Sequence, residues 1–108
     1  MNKAETLFMS LVNKHSTAEP DIHLGKMMSA PGLKYKDKVF AFYAKEDAMG
    51  FRLGEKFNPE KVGLNKYRPL SPFKKKPPLK GWYIVDKEES NTWEYLTELS
   101  LTFTKTLK

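Results

Sequence analysis

The stretch Val39-Phe40-Ala41-Phe42-Tyr43-Ala44 decides the fold class of this chain. It combines a β-branched residue with aromatic residues, and both kinds favour β-strands. Apolar side chains fall on both of its faces, so the stretch is predicted to be a central strand of a sheet. Downstream, Met49, Phe51 and Leu53 alternate with a glycine and an arginine, which predicts a neighbouring strand with one buried face. We expect the two strands to pair in antiparallel fashion.

Further strands are predicted on both sides of this pair. Residues 22–28 read as the first strand, and Ala30-Pro31-Gly32 indicates a turn. On the other side, Gly81 leads into an aromatic and β-branched strand over 82–85. Residues 67–79 contain four prolines, so they are predicted to be irregular apart from a short edge strand near 70–73.

Three helices are predicted around these strands. The first covers 2–15, with Asn2 as its cap, and ends before Pro20. A short one begins at Asn58-Pro59 and continues to about residue 66. The last runs from about 90 to 107, and its core-facing stripe is predicted at Trp93, Leu96, Leu99 or Ser100, Phe103 and Leu107.

These elements predict an α+β fold, with an antiparallel sheet of about five strands and the N- and C-terminal helices packed on one face. The chain has 108 residues, which suits a single domain over 1–108. Trp82 and Trp93 are expected in the core, one on a strand and one on the helix that covers it.

Composition excludes several classes of function. The chain has no cysteine, which rules out disulfides, thiolate catalysis and cysteine-based metal sites. It lacks both the apolar run of a signal peptide and a membrane-spanning stretch. We therefore expect a soluble, cytoplasmic protein.

No catalytic, cofactor or metal-binding motif is visible in the sequence. His15 and His23 lack metal-ligand spacing, and His15 is interpreted as a helix C-terminal residue favoured by the helix dipole. Asp86, Glu88 and Glu89 are interpreted as helix caps rather than as a catalytic carboxylate pair. The sequence predicts a protein that is not an enzyme and has no cofactor.

The segment from Lys26 to Ala41 resembles the N-terminal domain of the TfoX/Sxy family, above all in Lys38-Val39-Phe40-Ala41. Arg52-Leu53-Gly54, the proline-bearing loop and the strand over 80–85 follow in the family's order. Met28, Ser29 and Asp37 depart from the family's usual phenylalanine and glycines. A similar strand and a late tryptophan also occur in the MmcQ/YjbR family.

The TfoX resemblance implies a curved antiparallel sheet with helices on one side, as in secretion chaperones. It also implies a possible regulatory setting. The family's name-giving members carry a further C-terminal domain, so their role in competence regulation does not transfer directly.

The net charge is +6, and the region from 61 to 80 has seven cations and no acid. It is the predicted macromolecule-binding segment, with Tyr67 and Phe73 available to stack on bases. Its candidate residues are Lys61, Lys66, Tyr67, Arg68, Phe73, Lys74, Lys75, Lys76 and Lys80. The expected partners are nucleic acid, bound weakly and without sequence preference, or an acidic protein. A homodimer, an adaptor role and a plain solvated loop stay open as alternatives.

Overall fold

Helix α1 (Lys3–Ala18) opens the fold, in a computed structural model that describes residues 2–27, 30–44, 47–64, 66–70 and 79–107. The Asn2 side chain accepts a hydrogen bond from the Glu5 backbone N–H at 2.8 Å, which satisfies a free donor of the first turn. Asn2 is thus confirmed as the predicted cap. The helix continues beyond its expected end to Ala18.

Six strands form one antiparallel sheet in the order β1-β2-β3-β4-β6-β5. Their bounds are β1 (Ile22–Met27), β2 (Ala30–Tyr35), β3 (Lys38–Ala44), β4 (Ala48–Arg52), β5 (Arg68–Leu70) and β6 (Leu79–Asp86). β3 is central and pairs with β4, as predicted. The sheet has one strand more than the expected number of about five. The short edge strand predicted near 70–73 forms at Arg68–Leu70, and residues 71–73 lie outside the described residues.

The turn predicted at Ala30-Pro31-Gly32 is wrong, because these residues open β2 and pair with β1. Gly32 lies opposite Gly25, and the pairing of β2 with β3 begins only at Gly32. The missing N–H of Pro31 therefore costs no hydrogen bond with β3. β1 ends at Met27, and Met28, the last residue of the predicted strand, lies outside the described residues.

Two 3₁₀ helices flank the second half of the sheet. The first (Pro59–Val62) is shorter than the helix predicted over 58–66; it is capped by the Asn58 side chain and ends at Gly63, whose φ is 74°. The second (Lys87–Thr92) leads into α2 (Trp93–Lys105). Its cap residue, Asp86, makes no capping hydrogen bond from its side chain, so that part of the sequence interpretation is wrong.

Helices α1 and α2 pack on the same face of the sheet and share one apolar core, as predicted. The strands contribute large buried side chains to it, among them Leu33, Phe40, Met49 and Phe51. Trp93 is fully buried in this core, and its indole N–H donates to the Val85 carbonyl oxygen at 3.2 Å.

The opposite face of the sheet carries a second apolar cluster, formed by Phe42, Ala48, Leu70, Trp82 and Ile84. β3 reaches both faces through a β-bulge. Leu33 pairs with Ala41 and Lys34 with Val39, so Phe40 is an extra residue in the strand. The bulge shifts the alternation of β3, placing Phe40 in the helix-side core and Phe42 in the opposite cluster.

The two tryptophans therefore lie on different faces, and the expectation that the last helix covers Trp82 is wrong. Trp82 packs against Phe42 with ring centroids 5.6 Å apart, whereas Trp93 packs among the helices. A single sequence pattern cannot assign a strand residue to one face when both faces are apolar.

The core-facing stripe of α2 agrees with the predicted one at Trp93, Leu96 and Ser100 and differs from it at the other positions. The buried residues of the helix are Trp93, Leu96, Thr97, Ser100, Leu101 and Thr104. Leu99 and Phe103 are only half-buried, and Leu107 is 36 % exposed. The helix thus has a second, half-buried apolar stripe, of which Leu99 also packs against the core.

Candidate functional site

This second stripe of α2 forms one wall of a groove of about 410 Å³. The other wall is the segment that joins β4 to the first 3₁₀ helix. The apolar lining is Leu53, Phe57, Val62, Tyr95, Leu99 and Phe103. Its volume lies within the range of about 300–1,000 Å³ typical of ligand sites, which are likewise mostly apolar.

Local sequence explains how the second wall is held in place. The backbone N–H groups of Leu53 and Gly54 both donate to the Gly81 carbonyl, at 2.8 and 3.0 Å, and Gly54 turns the chain with a φ of 92°. Asn58 then caps the 3₁₀ helix by accepting from the Glu60 N–H at 3.0 Å. These contacts hold the segment against β6 and fix the start of the 3₁₀ helix.

The charged side chains that line the groove are both lysines, Lys56 and Lys61. Neither makes an ion pair with another described residue. The other polar lining residues are Asn58, Thr102 and Thr106. The groove is thus apolar along its walls and positively charged at two points.

A chain of aromatic rings extends from the groove towards the sheet edge. Phe57 packs edge-on against Tyr83 at 5.3 Å, and Tyr83 packs in the same way against Tyr67 at 5.7 Å. Tyr67 is 44 % exposed and Tyr95, at the groove, is 51 % exposed. Aromatic contact area therefore continues beyond the groove.

The structure distributes the described members of the predicted basic segment over different surfaces. Lys61 lines the groove, Tyr67 ends the aromatic chain, and Lys66 is exposed. Arg68 lies opposite Ile84 and therefore points to the other face of the sheet, where its guanidinium donates to Asp86 at 2.6 Å. Phe73, Lys74, Lys75 and Lys76 lie outside the described residues, so their part of the prediction is not tested.

Lys80, the last member of that segment, lines a second pocket of about 220 Å³. Arg52 and Trp82, which pair directly across β4 and β6, form one side of it. The Arg52 guanidinium carbon lies 5.0 Å from the centre of the Trp82 ring, as in a cation–π contact. We call this the Arg52 pocket.

A buried histidine, His15, departs from its sequence interpretation. It is in the last turn of α1, but it is 6 % exposed and its Nε2 has no hydrogen-bond partner within the described part of the chain. Burial, followed by the positive charge of Lys14, lowers its pKa, against the opposing effect of Glu98, Glu94 and Glu19. The fold therefore favours the neutral imidazole rather than a cation at the helix end.

This burial predicts a pH dependence of stability. Because the folded-state pKa is below the ordinary 6.5, the unfolded chain binds the proton more readily. The free energy of unfolding should therefore be highest above pH 6.5 and fall as the pH is lowered towards the folded-state pKa. Urea unfolding of wild type and His15→Met across this range checks it, with exposed His23→Gln as control. An equal slope in His15→Met would contradict the prediction.

The carboxylate of Asp47 is the centre of a polar cluster with a structural explanation. It accepts from the Tyr43 hydroxyl at 2.5 Å and from the Asn2 side-chain amide at 2.9 Å, and Lys87 Nζ lies 3.8 Å away. Burial, then the bond to Asp47, raises the pKa of Tyr43 to about 12. The bonds from Tyr43 and Asn2 lower the pKa of Asp47. The cluster ties α1 to the sheet.

Neither a metal-binding cluster nor a membrane-spanning helix is found among the described residues. No group of three or more histidine, aspartate or glutamate side chains there is placed to hold a metal ion. Neither α-helix of the described chain has the length and hydrophobicity needed to cross a membrane.

Sequence reasoning named Lys61 and Lys80 as candidate site residues but missed the aromatic and apolar residues of the groove, and Arg52 in its pocket. Tyr95, Leu99 and Phe103 recur every four residues, and this second apolar stripe is a signal that could have revealed the groove. Arg52 had no such signal, because its contact with Trp82 depends on strand pairing.

A scan against protein-family models finds no match, and searches of curated proteins and of solved structures find no significant one. The function therefore has to follow from the groove, the Arg52 pocket and the charges around them.

Proposed function

We propose that this protein is a non-catalytic binding domain whose groove docks an apolar, acid-flanked segment of a partner protein. The observation that carries the proposal is an apolar groove with Lys56 and Lys61 as its charged lining residues. An apolar segment would remove the half-exposed stripe of α2 from water, and flanking acids would meet the two lysines.

The exposed aromatic residues support a protein partner over a small amphiphile. A small ligand would be confined to the groove, whereas a polypeptide can continue along Phe57 and Tyr83 to Tyr67. Tyrosine is among the residues that dominate binding energy in protein interfaces, since it offers a large rigid surface with a polar tip. Tyr95 and Tyr67 are therefore proposed as anchors at the two ends.

We also propose that the chain is related to the N-terminal domain of the TfoX/Sxy family. This relation is supported by the order of the elements and by the packing of α1 and α2 on one face of an antiparallel sheet. A regulatory adaptor role, through macromolecular binding, is compatible with a docking groove whose lining is mostly apolar.

A peptide selection tests the docking proposal directly, because the library itself supplies candidate partner segments. A random peptide library displayed on phage is selected against the immobilised protein, and a recovered peptide is measured by fluorescence anisotropy. We expect leucine- and phenylalanine-containing peptides enriched in aspartate and glutamate. Tyr95→Ser should weaken binding about tenfold, the effect of losing one interface anchor, and Lys56→Glu/Lys61→Glu should also reduce its salt dependence.

Matched variants distinguish binding in the groove from nonspecific hydrophobic and electrostatic binding elsewhere on the surface. Leu24 is 53 % exposed on β1, so Leu24→Ser removes a similar apolar area elsewhere. Lys3→Glu/Lys36→Glu makes the same charge change at exposed positions that do not line the groove. The proposal is overturned if no acidic consensus emerges or if the groove and control variants bind equally. A wild-type dimer that Tyr95→Ser dissociates would instead identify a second copy as the occupant.

A further inference from the structure

The guanidinium of Arg52 is an incompletely paired cation. It is half-buried, and burial lowers its pKa. Among the described residues it has neither a carboxylate within ion-pair distance nor a hydrogen-bond acceptor. Arg68, on the same face of the sheet, does have such a partner, Asp86. A cation partly removed from water gains most from an anion that supplies the missing charge and acceptors.

The position of Arg52 is fixed by its surroundings rather than by an ion pair. One face of the guanidinium lies on the Trp82 ring, and the ring is held in turn by Phe42. Below them, Gly54 and Gly81 approach so closely that a Cβ on Gly81 would lie 3.1 Å from the Gly54 Cα. This contact joins the ends of β4 and β6 and gives the pocket a rigid floor.

Two cations and one acid determine the charge of the pocket. Lys80 and Arg52 line it together, and Glu55 is the acidic residue among the described lining residues. No ion pair within 4.0 Å links Glu55 to either cation in the described chain. Phe103 and Leu107 add apolar side chains to the lining.

We propose that the Arg52 pocket is a binding site for a phosphate group carried by a nucleotide or by a nucleic-acid strand. The planar fork of Arg52 matches two phosphate oxygens, and Lys80 supplies a second positive charge. The outer face of the guanidinium is available for a base, because nucleobases stack on arginine planes as they do on aromatic rings. The site adjoins the groove, with which it shares Phe103, but its lining charges are different.

Nuclear magnetic resonance titration tests the site directly. The backbone amides of Gly54 and Gly81 and the side-chain Nε–H of Arg52 report binding. The probes are inorganic phosphate, adenosine monophosphate and a short 5′-phosphorylated oligothymidylate. Saturable shifts of these signals are expected. Tighter, strongly salt-dependent binding of the oligonucleotide would identify a strand as the source, and equal binding of the monophosphate would identify a nucleotide.

Variants of the pocket are expected to change the dissociation constant in opposite directions. Arg52→Lys keeps the charge but loses the fork, and should raise the dissociation constant about tenfold, as should Lys80→Met. Glu55→Gln removes the opposing charge and should lower the dissociation constant. A misfolded variant could not show such an increase in affinity. Lys66→Met, an exposed lysine outside the pocket, should leave it unchanged. Absence of saturable shifts with all three probes, or equal affinity in Arg52→Lys, Glu55→Gln and wild type, would overturn the proposal.

Discussion

Replacing Trp93 with alanine is expected to lower the free energy of unfolding by about 3–5 kcal/mol. The side chain is fully buried between the helices and the sheet, so its removal leaves a large cavity. The change also removes the donor to the Val85 carbonyl, whose buried acceptor then loses its partner. For a domain whose total stability is about 5–15 kcal/mol, this is a large fraction.

Urea unfolding followed by circular dichroism measures the effect of Trp93→Ala. Tyr95→Ala, in the same helix but 51 % exposed, is the matched control and should change stability by no more than about 0.5 kcal/mol. Trp93→Phe keeps most of the ring volume and loses the N–H, so its effect should fall between the two. Equal losses for Trp93→Ala and Tyr95→Ala would show that the helix-side core is packed differently.

Gly50→Ala is expected to destabilise the protein by about 1–3 kcal/mol, although alanine is the smallest possible addition. A Cβ at this position would lie 2.2 Å from Cε1 of Phe42, whose ring covers the glycine. The ring cannot easily move, because it is 4 % exposed and packs against Trp82. Glycine at position 50 is therefore required by a neighbouring ring on the same face, not by its backbone angles.

A double-mutant cycle tests this explanation of Gly50. Phe42→Leu shortens the obstructing side chain, so adding it to Gly50→Ala should cost less than the sum of the single changes. Gly25→Ala is the control on the same face, where the close atoms belong to the flexible, half-exposed side chain of Lys34. A loss in Gly25→Ala as large as that in Gly50→Ala would contradict the role of the Phe42 ring.

The sequence predicted correctly those features of the fold that depend on residues close together in the chain. The aromatic run of β3 and the Asn2 cap depend on neighbouring residues, and both are confirmed. The alternation at Met49, Phe51 and Leu53 placed these side chains correctly in the helix-side core, but Ala48 and Gly50 are buried as well, so the expectation of a single buried face is wrong. Pairing between strands decided the features that were wrong. Gly32 belongs to β2 because it lies opposite Gly25, and no turn signal in the sequence reports that partner.

The candidate sites were less accessible to sequence reasoning than the fold. The basic segment was selected by charge; two of its members, Lys61 and Lys80, line different cavities, and charge alone could not distinguish between these cavities. Phe103, and Leu99 as an alternative to Ser100, were assigned to the core because they are apolar. Whether an apolar helix residue meets the sheet or a groove depends on what lies beside the helix, which here is the segment around Phe57.

Because of the bulge in β3, the number of residues in the strand determines which face of the sheet each of its side chains occupies. In an unbroken strand Phe40 and Phe42 would point to the same side, because side chains alternate with a period of two. The extra residue opposite Leu33 and Lys34 sends them to different sides. Deleting one residue at this point would leave every side chain of β3 chemically suitable for burial while exchanging the faces of all those beyond the deletion. Among related chains, gaps should therefore be rarer in β3 than substitutions.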